Sequence, residues 1–291
     1  AGFLFPTIRY PLSAILYPLP MPELPEVETT RRGIRAALRG HRIAEFVLCN
    51  HRLRWPVDRA LAKVLPGQRV LDVRRRAKYL LIELERGTLI AHLGMSGSLR
   101  VMPADAPWLK HDHYELRLDT GRGLRFNDPR RFGSLHWVTG DPLDHPLLAG
   151  LGPEPLDAGF DGACLAARAK GRKVAIKQFL MDQRVVVGVG NIYASEALFR
   201  AGIHPRRAAG KVSTERLERL AEAVKAVLGE AIRQGGTTLR DYVNADGTPG
   251  YFRQKLYVYE RDGQPCRRCG TAIRKLAQGQ RSTYFCPACQ K

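Results

Sequence analysis

The segment with the clearest chemistry in this chain is residues 21–29, Met-Pro-Glu-Leu-Pro-Glu-Val-Glu-Thr. It has the form of a translation start, because an initiator methionine is removed readily when a small residue follows it. A terminal Pro22 would carry a free secondary amine, which is a nucleophile, with the carboxylates of Glu23 and Glu26 beside it. If residues 1–20 stay attached, Pro22 is an ordinary amide without this reactivity. The chemistry expected here therefore depends on where the active chain starts.

Four cysteines near the other end have the spacing of a metal site. Cys266 and Cys269 form one Cys-x2-Cys pair, and Cys286 and Cys289 form a second pair after sixteen intervening residues. Two such pairs supply four thiolates in tetrahedral geometry for Zn²⁺, and a closed set of four leaves no open position for catalysis. The spacing predicts one structural zinc ion, with two disulfides or a redox dithiol as the alternative.

The composition is basic over the whole length of the chain. Lysine and arginine number 47 against 28 aspartate and glutamate, which gives a net charge of +19 and a pI of about 10.1. A folded protein of this charge is expected to face a polyanion, with nucleic acid as the leading candidate, although a basic proteome leaves the same signature. Two lone cysteines outside the C-terminal pairs favour a reducing cytoplasm.

No apolar run is long enough to predict a membrane-spanning helix. Residues 1–20 are apolar, but they contain four prolines and lack a basic start, so they make a poor secretory signal. They are expected to be an upstream mis-start or a disordered leader.

The hydrophobic pattern predicts a β-rich first half and a helical second half. A helix is expected over Pro25–Leu38, and short strands separated by turn signals are expected between Ile43 and Val138. Such strands predict an antiparallel sandwich or barrel. Residues 140–162, rich in Pro, Gly and Asp, are expected to form a linker. The expected strands include 69–73, 78–84, 88–93, 114–118 and 134–138, and the expected later helices are 174–182, 192–201 and 214–234, the last with Ser213 as its N-cap.

Three polar segments could contact a polyanion, and each also has a purely structural interpretation. The turn 188–191, Gly-Val-Gly-Asn, offers backbone N–H groups to a phosphate at a helix start, or is only a turn. His111 and His113 are expected on one face of a strand, which favours a structural role over metal binding. The turn 128–133 could push Phe132 into a duplex as a wedge, or keep that ring tucked beneath it.

Together these motifs resemble the formamidopyrimidine-DNA glycosylase family of bacterial DNA repair enzymes, from about Pro22 to Lys291. The matching motifs besides the four cysteines are Pro-Glu-Leu-Pro-Glu-Val-Glu-Thr at 22–29, Arg-Arg-Ala-Lys-Tyr-Leu at 75–80, His-Leu-Gly-Met-Ser-Gly at 92–97, Asp-Pro-Arg-Arg-Phe-Gly at 128–133 and Gly-Val-Gly-Asn-Ile-Tyr-Ala-Ser-Glu at 188–196. The sister group, endonuclease VIII, usually departs from the residues at 24–28, so the purine-lesion branch is favoured.

The resemblance implies an α+β multidomain fold. Its expected parts are a leader or mis-assigned start at 1–21, an N-terminal antiparallel β-sandwich catalytic domain with flanking helices at 22–139, the linker at 140–162, a helix–two-turns–helix DNA-binding domain at 163–256 and a zinc finger at 257–291. The segment 237–251 is similar to the family's mobile loop over the flipped base.

The resemblance also implies catalytic roles. Pro22 would attack C1′ of the damaged nucleoside, and Glu23 would act as general acid at the sugar, with Glu26 in support. In the family Lys78 is assigned proton donation at β-elimination and Arg281 at δ-elimination. Because a guanidinium hardly deprotonates, we expect Arg281 to act as a phosphate clamp.

Further residues match the family's DNA contacts. Those expected to fill the gap left by an extruded nucleotide are Met95, Arg130 and Phe132. Those expected at the DNA backbone are His92, His111, Arg172, Asn191, Tyr259 and Arg281.

The expected function is excision of oxidised purines from duplex DNA, followed by strand cleavage at the abasic site, by a monomer in the bacterial cytoplasm at the nucleoid. One alternative is an endonuclease VIII-like enzyme for oxidised pyrimidines. The other is a lesion-binding protein without catalysis, which would result if the leader is retained and Pro22 is acylated.

Overall fold

The computed structural model describes residues 22–236 and 255–291. The expected leader and the segment 237–251 therefore lie outside the described residues. The strands are β1 Ile43–Leu48, β2 Val70–Arg76, β3 Tyr79–Leu84, β4 Gly87–His92, β5 Ser98–Pro103, β6 Asp112–Leu118, β7 Arg122–Asn127, β8 Ser134–Val138, β9 Arg274–Gln278 and β10 Arg281–Phe285. The helices are α1 Leu24–Leu38, α2 Leu61–Val64, α3 Gly162–Ala169, α4 Ile176–Leu180, α5 Asn191–Arg200 and α6 Thr214–Arg233.

Eight of these strands form two antiparallel sheets in the first half of the chain. One sheet has the order β1-β6-β7-β5, and the other has the order β2-β3-β4-β8. Val73 and Leu80 of one sheet and Tyr114 and Phe126 of the other are almost completely buried and belong to the same core. The two sheets therefore pack against each other around one core. The predicted antiparallel sandwich is confirmed.

Helix α1 begins and ends at sequence signals that can be read in advance. Pro25 lies in the first turn, where a missing N–H costs nothing, and the backbone N–H of Glu23 donates to Glu26 Oε2 at 2.9 Å. After the helix, Gly40 takes a φ of +87°, which a residue with a side chain rarely adopts. Ile34 and Leu38, in the later part of α1, are buried in the sandwich core. Their packing fixes the position of the whole helix and therefore of its first residues.

The second half of the chain is helical, as predicted. Leu217, Leu220, Val224 and Leu228 form a buried stripe along α6 at helical spacing. Ser213 is the residue before α6, but its side chain makes no capping hydrogen bond to the helix. The remaining strands, β9 and β10, form an antiparallel hairpin in the C-terminal segment.

The extents of two predicted elements are wrong, and one helix was not predicted. The helix expected at 174–182 covers only Ile176–Leu180, because Ala175 instead forms a β-bridge with Ala208. The strand expected at 69–73 continues to Arg76 along its partner β3. Helix α3 was not predicted, and it begins at Gly162, the last residue of the expected linker. Its N-terminus is capped by Asp161, whose side chain accepts a hydrogen bond from the N–H of Cys164 at 2.7 Å.

The middle of the expected linker is held by backbone hydrogen bonds to the turn between α4 and α5. The N–H of Gly152 donates to the carbonyl of Gln183 at 2.8 Å, and the N–H of Val187 donates to the carbonyl of Pro153 at 3.1 Å. These bonds connect the sandwich to the helical half at the point where the candidate site lies. Within the described part of the chain, none of the helices is both long and apolar enough to cross a lipid bilayer.

Gly97 tests how tightly the sandwich is packed beneath the 92–97 motif. A Cβ at this position would collide with the carbonyl oxygen of Leu93 and lie 2.8 Å from the ring of Phe126. We expect Gly97→Ala to lower the free energy of unfolding by about 1–3 kcal/mol, measured by urea denaturation. The matched control is Gly140→Ala, because Gly140 has open space around it. Equal stabilities for the two variants would contradict this packing.

Candidate active site

The carboxylate of Glu23 joins the start of α1 to the start of α5. Glu23 is almost fully buried, and its two oxygens accept hydrogen bonds from the backbone N–H groups of Gly190 at 2.9 Å and Ile192 at 3.1 Å. The positive end of a helix favours an anion at this place. The sequence left two interpretations of this turn open, a phosphate seat or only a turn. A carboxylate of the same chain, not a phosphate, accepts these two N–H groups.

Burial is the main influence on the acidity of Glu23. It raises the pKa of this carboxyl to about 7, with a smaller contribution from the charge of Glu26, against the opposing effects of Lys78 and the two backbone N–H groups. The group can therefore hold or release a proton near neutral pH. A carboxyl tuned in this way, next to Pro22, suits general acid catalysis.

Gly190 must be a glycine for this contact to exist. A Cβ at residue 190 would overlap the carboxyl group of Glu23. Gly188, two residues earlier, has a φ of +76°, and a Cβ there would lie 2.5 Å from a methyl group of Leu24. The two glycines thus let the α4–α5 turn approach the start of α1 directly.

Glu26 lies beneath the same helix start. Its Oε2 accepts the N–H of Glu23, and its Oε1 accepts the hydroxyl of Tyr193 at 2.6 Å. A Cβ on Gly236, the last described residue before the gap, would come within 3.0 Å of Glu26 Oε1. Glu26 therefore connects the start of α1 with helix α5 and lies beside Gly236.

Lys78 is presented by a turn between β2 and β3. Ala77 takes a φ of +54°, and its N–H donates to Glu154 Oε1 at 2.7 Å. Burial lowers the pKa of Lys78; the charge of Glu23 opposes this shift, and that of Arg281 adds to it. A lysine that loses its proton more readily can exchange one with a reacting group.

Glu154, from the middle of the expected linker, holds this turn in place. Its carboxylate also accepts Arg75 Nη1 at 2.7 Å and Arg76 Nη1 at 3.0 Å. Arg75 in turn donates to Glu28 on α1 at 3.2 Å. Sequence reasoning missed Glu154, because a Pro- and Gly-rich context predicts only a linker.

Lys177 is a second buried lysine that sequence reasoning missed. Its ammonium donates to Asn191 Oδ1 at 2.6 Å and to Thr283 Oγ1 at 2.9 Å, so it joins α4, α5 and the β10 strand. Burial lowers its pKa to about 7, with Glu23 opposing the shift and Arg281 adding to it. The only sequence signal was a lysine among apolar neighbours, Ile176, Phe179 and Leu180, which usually indicates a solvent-facing position.

The structure also brings together other residues that the sequence singled out. Asn191 Nδ2 donates to the hydroxyl of Tyr259 at 3.3 Å and to the carbonyl of Ser282 at 3.1 Å. Arg281, at the start of β10, is exposed, and its charge acts on both Lys78 and Lys177. Arg172 lies apart from this cluster, exposed between α3 and α4.

The two loops expected to enter DNA touch one another. A Cβ on Gly94 would lie 2.5 Å from the backbone of Phe132 and Gly133. The hydroxyl of Ser96 donates a hydrogen bond to Asp128 Oδ1 at 2.6 Å. Phe132 is 42% exposed, which excludes the interpretation that its ring is tucked beneath the turn. Arg130 lies over this ring at 5.2 Å, and Met95 is partly exposed on the neighbouring loop.

The histidines of this region differ from one another. Burial, aided by the charge of Lys78, lowers the pKa of His92 to about 4, and its Nδ1 accepts the N–H of Gly94 at 3.0 Å. His92 is therefore neutral at physiological pH. The expectation that His111 and His113 share one face of a strand is wrong, because His111 precedes β6 with a φ of +74° while His113 is buried against the carbonyl of Asp128.

The four paired cysteines form a cluster of the right size for zinc. Their sulfur atoms all lie within 4.8 Å of one another, with Cys269 and Cys286 at 3.5 Å and Cys266 and Cys289 at 4.0 Å. Tetrahedral Zn–S bonds of about 2.3 Å place sulfurs about 3.8 Å apart. The donor set therefore fits one structural Zn²⁺, and these separations exclude disulfides between the cysteines.

Three parts define the class of this protein. They are a β-sandwich, a helical domain that contacts the sandwich through a buried carboxylate, and a four-cysteine finger. This chain is a zinc-finger protein with a helix–two-turns–helix nucleic-acid-binding domain. Three family models match in this order: the formamidopyrimidine-DNA glycosylase N-terminal domain at residues 21–135, its H2TH domain at 151–243, and the zinc finger found in FPG and IleRS at 263–291.

Individual relatives agree with these models. The formamidopyrimidine-DNA glycosylase of Stenotrophomonas maltophilia is 59% identical over 271 residues, which cover 93% of this chain and 100% of that protein. The chain belongs to the formamidopyrimidine-DNA glycosylase family.

Solved structures show the same similarity. The MutM (FPG) protein of Thermus thermophilus has a TM-score of 0.83 and 42% identity, over 92% of this chain and 98% of that one. An FPG variant of Lactococcus lactis in complex with a Fapy-dG containing DNA has a TM-score of 0.87 and 34% identity, over 93% and 100%. A complex of Lactococcus lactis Fpg with an abasic site containing DNA has a TM-score of 0.86 and 34% identity, over 92% and 99%.

The zinc ion should hold the finger hairpin against Lys177. We expect Cys286→Ser to lose the metal and to separate Thr283 from the Lys177 ammonium, because a segment this short cannot bury a core without it. Zinc content per chain and affinity for duplex DNA are the measurements, and both should fall. The control is Cys49→Ser, which lies outside the cluster. Unchanged DNA affinity in a zinc-free variant would show that the finger does not position the site.

Proposed function

We propose that this chain is a base-excision repair enzyme that removes oxidised purines from duplex DNA and then cleaves the strand at the abasic site, with Pro22 as its nucleophile. The observation that carries the proposal is the buried Glu23 carboxyl, held beside Pro22 by two backbone N–H groups of a second domain. The relatives named formamidopyrimidine-DNA glycosylase, and the Lactococcus lactis complexes with Fapy-dG and abasic DNA, support this substrate class.

The proposed reaction begins at the Pro22 amine. Its lone pair attacks C1′ of the damaged nucleotide, the bond from C1′ to the base breaks, and the base leaves with that electron pair. Glu23, protonated near neutral pH, gives a proton to O4′ as the sugar ring opens. The nitrogen loses its own proton, and the product is an iminium between Pro22 and C1′.

Strand cleavage follows from the acidity of the iminium. It makes the C2′ hydrogen acidic, and loss of that proton expels the 3′ phosphate; a second elimination expels the 5′ phosphate. Lys78 is proposed to exchange protons at the first elimination, consistent with its lowered pKa. Arg281 is proposed to hold a phosphate, with Glu26 fixing the start of α1 through the N–H of Glu23.

The remaining residues are proposed to hold and distort the duplex. Met95, Arg130 and Phe132 would occupy the space of the extruded nucleotide, since their two loops touch and Phe132 is exposed. Residues proposed at the DNA backbone are His92, His111, Arg172, Asn191 and Tyr259. Because its substrate is DNA and its relatives are bacterial, we place the enzyme in the cytoplasm at the nucleoid.

The proposed domain boundaries are those expected from the sequence, with catalytic, helical and zinc-finger parts at 22–139, 163–256 and 257–291 around the linker. Pro22 can react only when its nitrogen is free. The active form is therefore proposed to begin at Pro22, which agrees with a family model that starts at residue 21.

Borohydride trapping tests the nucleophile directly. We expect the form that begins at Pro22 to be trapped covalently on 8-oxoguanine DNA, because borohydride reduces the iminium. The form that retains residues 1–21 should give no adduct, since its nitrogen is an amide. Pro22→Gly in the shorter form should weaken trapping and leave DNA affinity nearly intact. An adduct formed by the intact longer form would refute Pro22 as the nucleophile, and a preference for oxidised pyrimidines would refute the substrate class.

The raised pKa of Glu23 has a consequence for stability. Because its folded pKa of about 7 exceeds the unfolded value of about 4.3, the folded state binds more protons between these values, and stability from this group is lost as pH rises through them. The free energy of unfolding should therefore decrease between about pH 5 and pH 8. We expect this decrease to be smaller by about 1–3 kcal/mol in Glu23→Gln.

The measurement is urea denaturation at both pH values. Glu222→Gln, on the exposed face of α6, is the matched control and should follow the unsubstituted protein. A Glu23→Gln profile with the original slope would mean that burial does not raise the pKa of Glu23.

A further inference from the structure

A basic pocket opens on the helical half of the molecule, away from Glu23 and Lys78. Its volume is about 600 Å³, and we call it the 204–211 pocket. Its lining residues are His204, Arg206, Arg207, Ala208, Lys211 and Lys291. Four of these side chains carry a permanent positive charge, and none of the lining side chains is acidic. The backbone oxygen of Lys291 accepts hydrogen bonds from Arg216 Nη2 at 2.6 Å and from the N–H of His204 at 3.2 Å.

Among the described residues, no Asp or Glu side chain forms an ion pair with the cations of the pocket. Within residues 22–236 and 255–291, no ion pair involves Arg206, Arg207, Lys211 or Lys291. Burial first, and then the charge of Arg207, lowers the pKa of Arg216, which lies behind the pocket. Like charges held close together repel one another. The electric field of the pocket therefore attracts a polyanion from the solvent.

The walls of the pocket are fixed by backbone hydrogen bonds to one neighbouring segment. The N–H of Ile176 donates to the carbonyl of Arg207 at 2.7 Å, and the N–H of Ala209 donates to the carbonyl of Val174 at 2.9 Å. The imidazole of His204 packs edge-on against Phe285 of the zinc-finger hairpin, with ring centroids 4.8 Å apart. The cationic side chains therefore project from a rigid frame.

The same frame carries Arg172, a proposed DNA-backbone contact. The N–H of Gly210 donates to the carbonyl of Arg172 at 2.9 Å, and a Cβ at residue 210 would lie 3.0 Å from the backbone of Arg172. Lys211 follows Gly210 directly. The 204–211 pocket thus begins one backbone hydrogen bond away from Arg172.

We propose that the 204–211 pocket is a second phosphate-binding site, which takes backbone phosphates of the duplex outside the segment that surrounds the lesion. This inference rests on the proposed function only in that Arg172 contacts DNA. Arg206, Arg207 and Lys211 neutralise phosphates of the flanking duplex and lengthen the bound segment. The site contributes affinity that does not depend on the base sequence or on the lesion, as phosphate contacts do.

The test compares two duplexes that carry the same lesion, of about 12 and about 30 base pairs, because the shorter one cannot reach past the lesion segment on both sides. The variant replaces Arg206, Arg207 and Lys211 by alanine. We expect its affinity for the long duplex to fall about tenfold or more at low salt, and the slope of log affinity against log salt to decrease by about two to three. Affinity for the short duplex and excision from it should not change.

The matched control removes the same charge elsewhere, by Arg59→Ala, Lys63→Ala and Arg122→Ala, which are exposed positions. A single Arg206→Glu variant, at an exposed side chain, gives the same answer if the triple variant folds poorly. Inorganic phosphate at constant ionic strength should reduce the advantage of the long duplex in the unsubstituted protein only.

Equal losses on both duplexes, or equal losses in the control, would overturn the proposal, because the effect would then be general electrostatics or damage to the lesion site. Failure of excision on the short duplex by the unsubstituted protein would instead contradict the proposed function. The two proposals therefore fail in different measurements.

Discussion

Everything at the candidate site depends on one carboxylate that is buried between two helix starts. Glu23 precedes α1, and its oxygens accept N–H groups at the start of α5, 167 and 169 residues further along the chain. Burial raises the free energy of the charged form, and the two N–H groups and Lys78 lower it. These effects leave the pKa of Glu23 near 7 only if both helices keep their positions. The sandwich core, the glycines of the α4–α5 turn and the linker all serve to hold them.

The zinc finger takes part in this arrangement through its β10 strand. Its β10 strand offers the Thr283 hydroxyl and the Ser282 carbonyl to Lys177, and the same carbonyl receives Asn191. Without these oxygens the Lys177 ammonium would be buried and poorly compensated, which is costly. The metal thus acts on the site through a strand that shares a lysine with two helices.

The sequence predicted those parts of the fold and site that depend on local spacing, and missed those that depend on distant contacts. The four-cysteine cluster, helix α1 and the antiparallel sheets follow from short patterns and were predicted, although the strand expected at 69–73 extends to Arg76. The burial of Lys177 comes from a strand 106 residues away, and the role of Glu154 comes from arginines 78 and 79 residues away. The sequence left a phosphate seat at Gly190 open for the same reason, because nothing local shows that Glu23 reaches it.

The expected linker at 140–162 has two parts, which differ in how well they would tolerate inserted or deleted residues. Around Gly140 and Gly150 there is open space, so extra residues there would extend into solvent. Between Gly152 and Glu154 the chain is bonded to the α4–α5 turn on one side and to the Lys78 turn on the other. Added length in that stretch would shift Glu23 and Lys78 relative to each other while leaving both cores intact. Among homologous chains, insertions and deletions should therefore accumulate before residue 151 and be absent from residues 152–154.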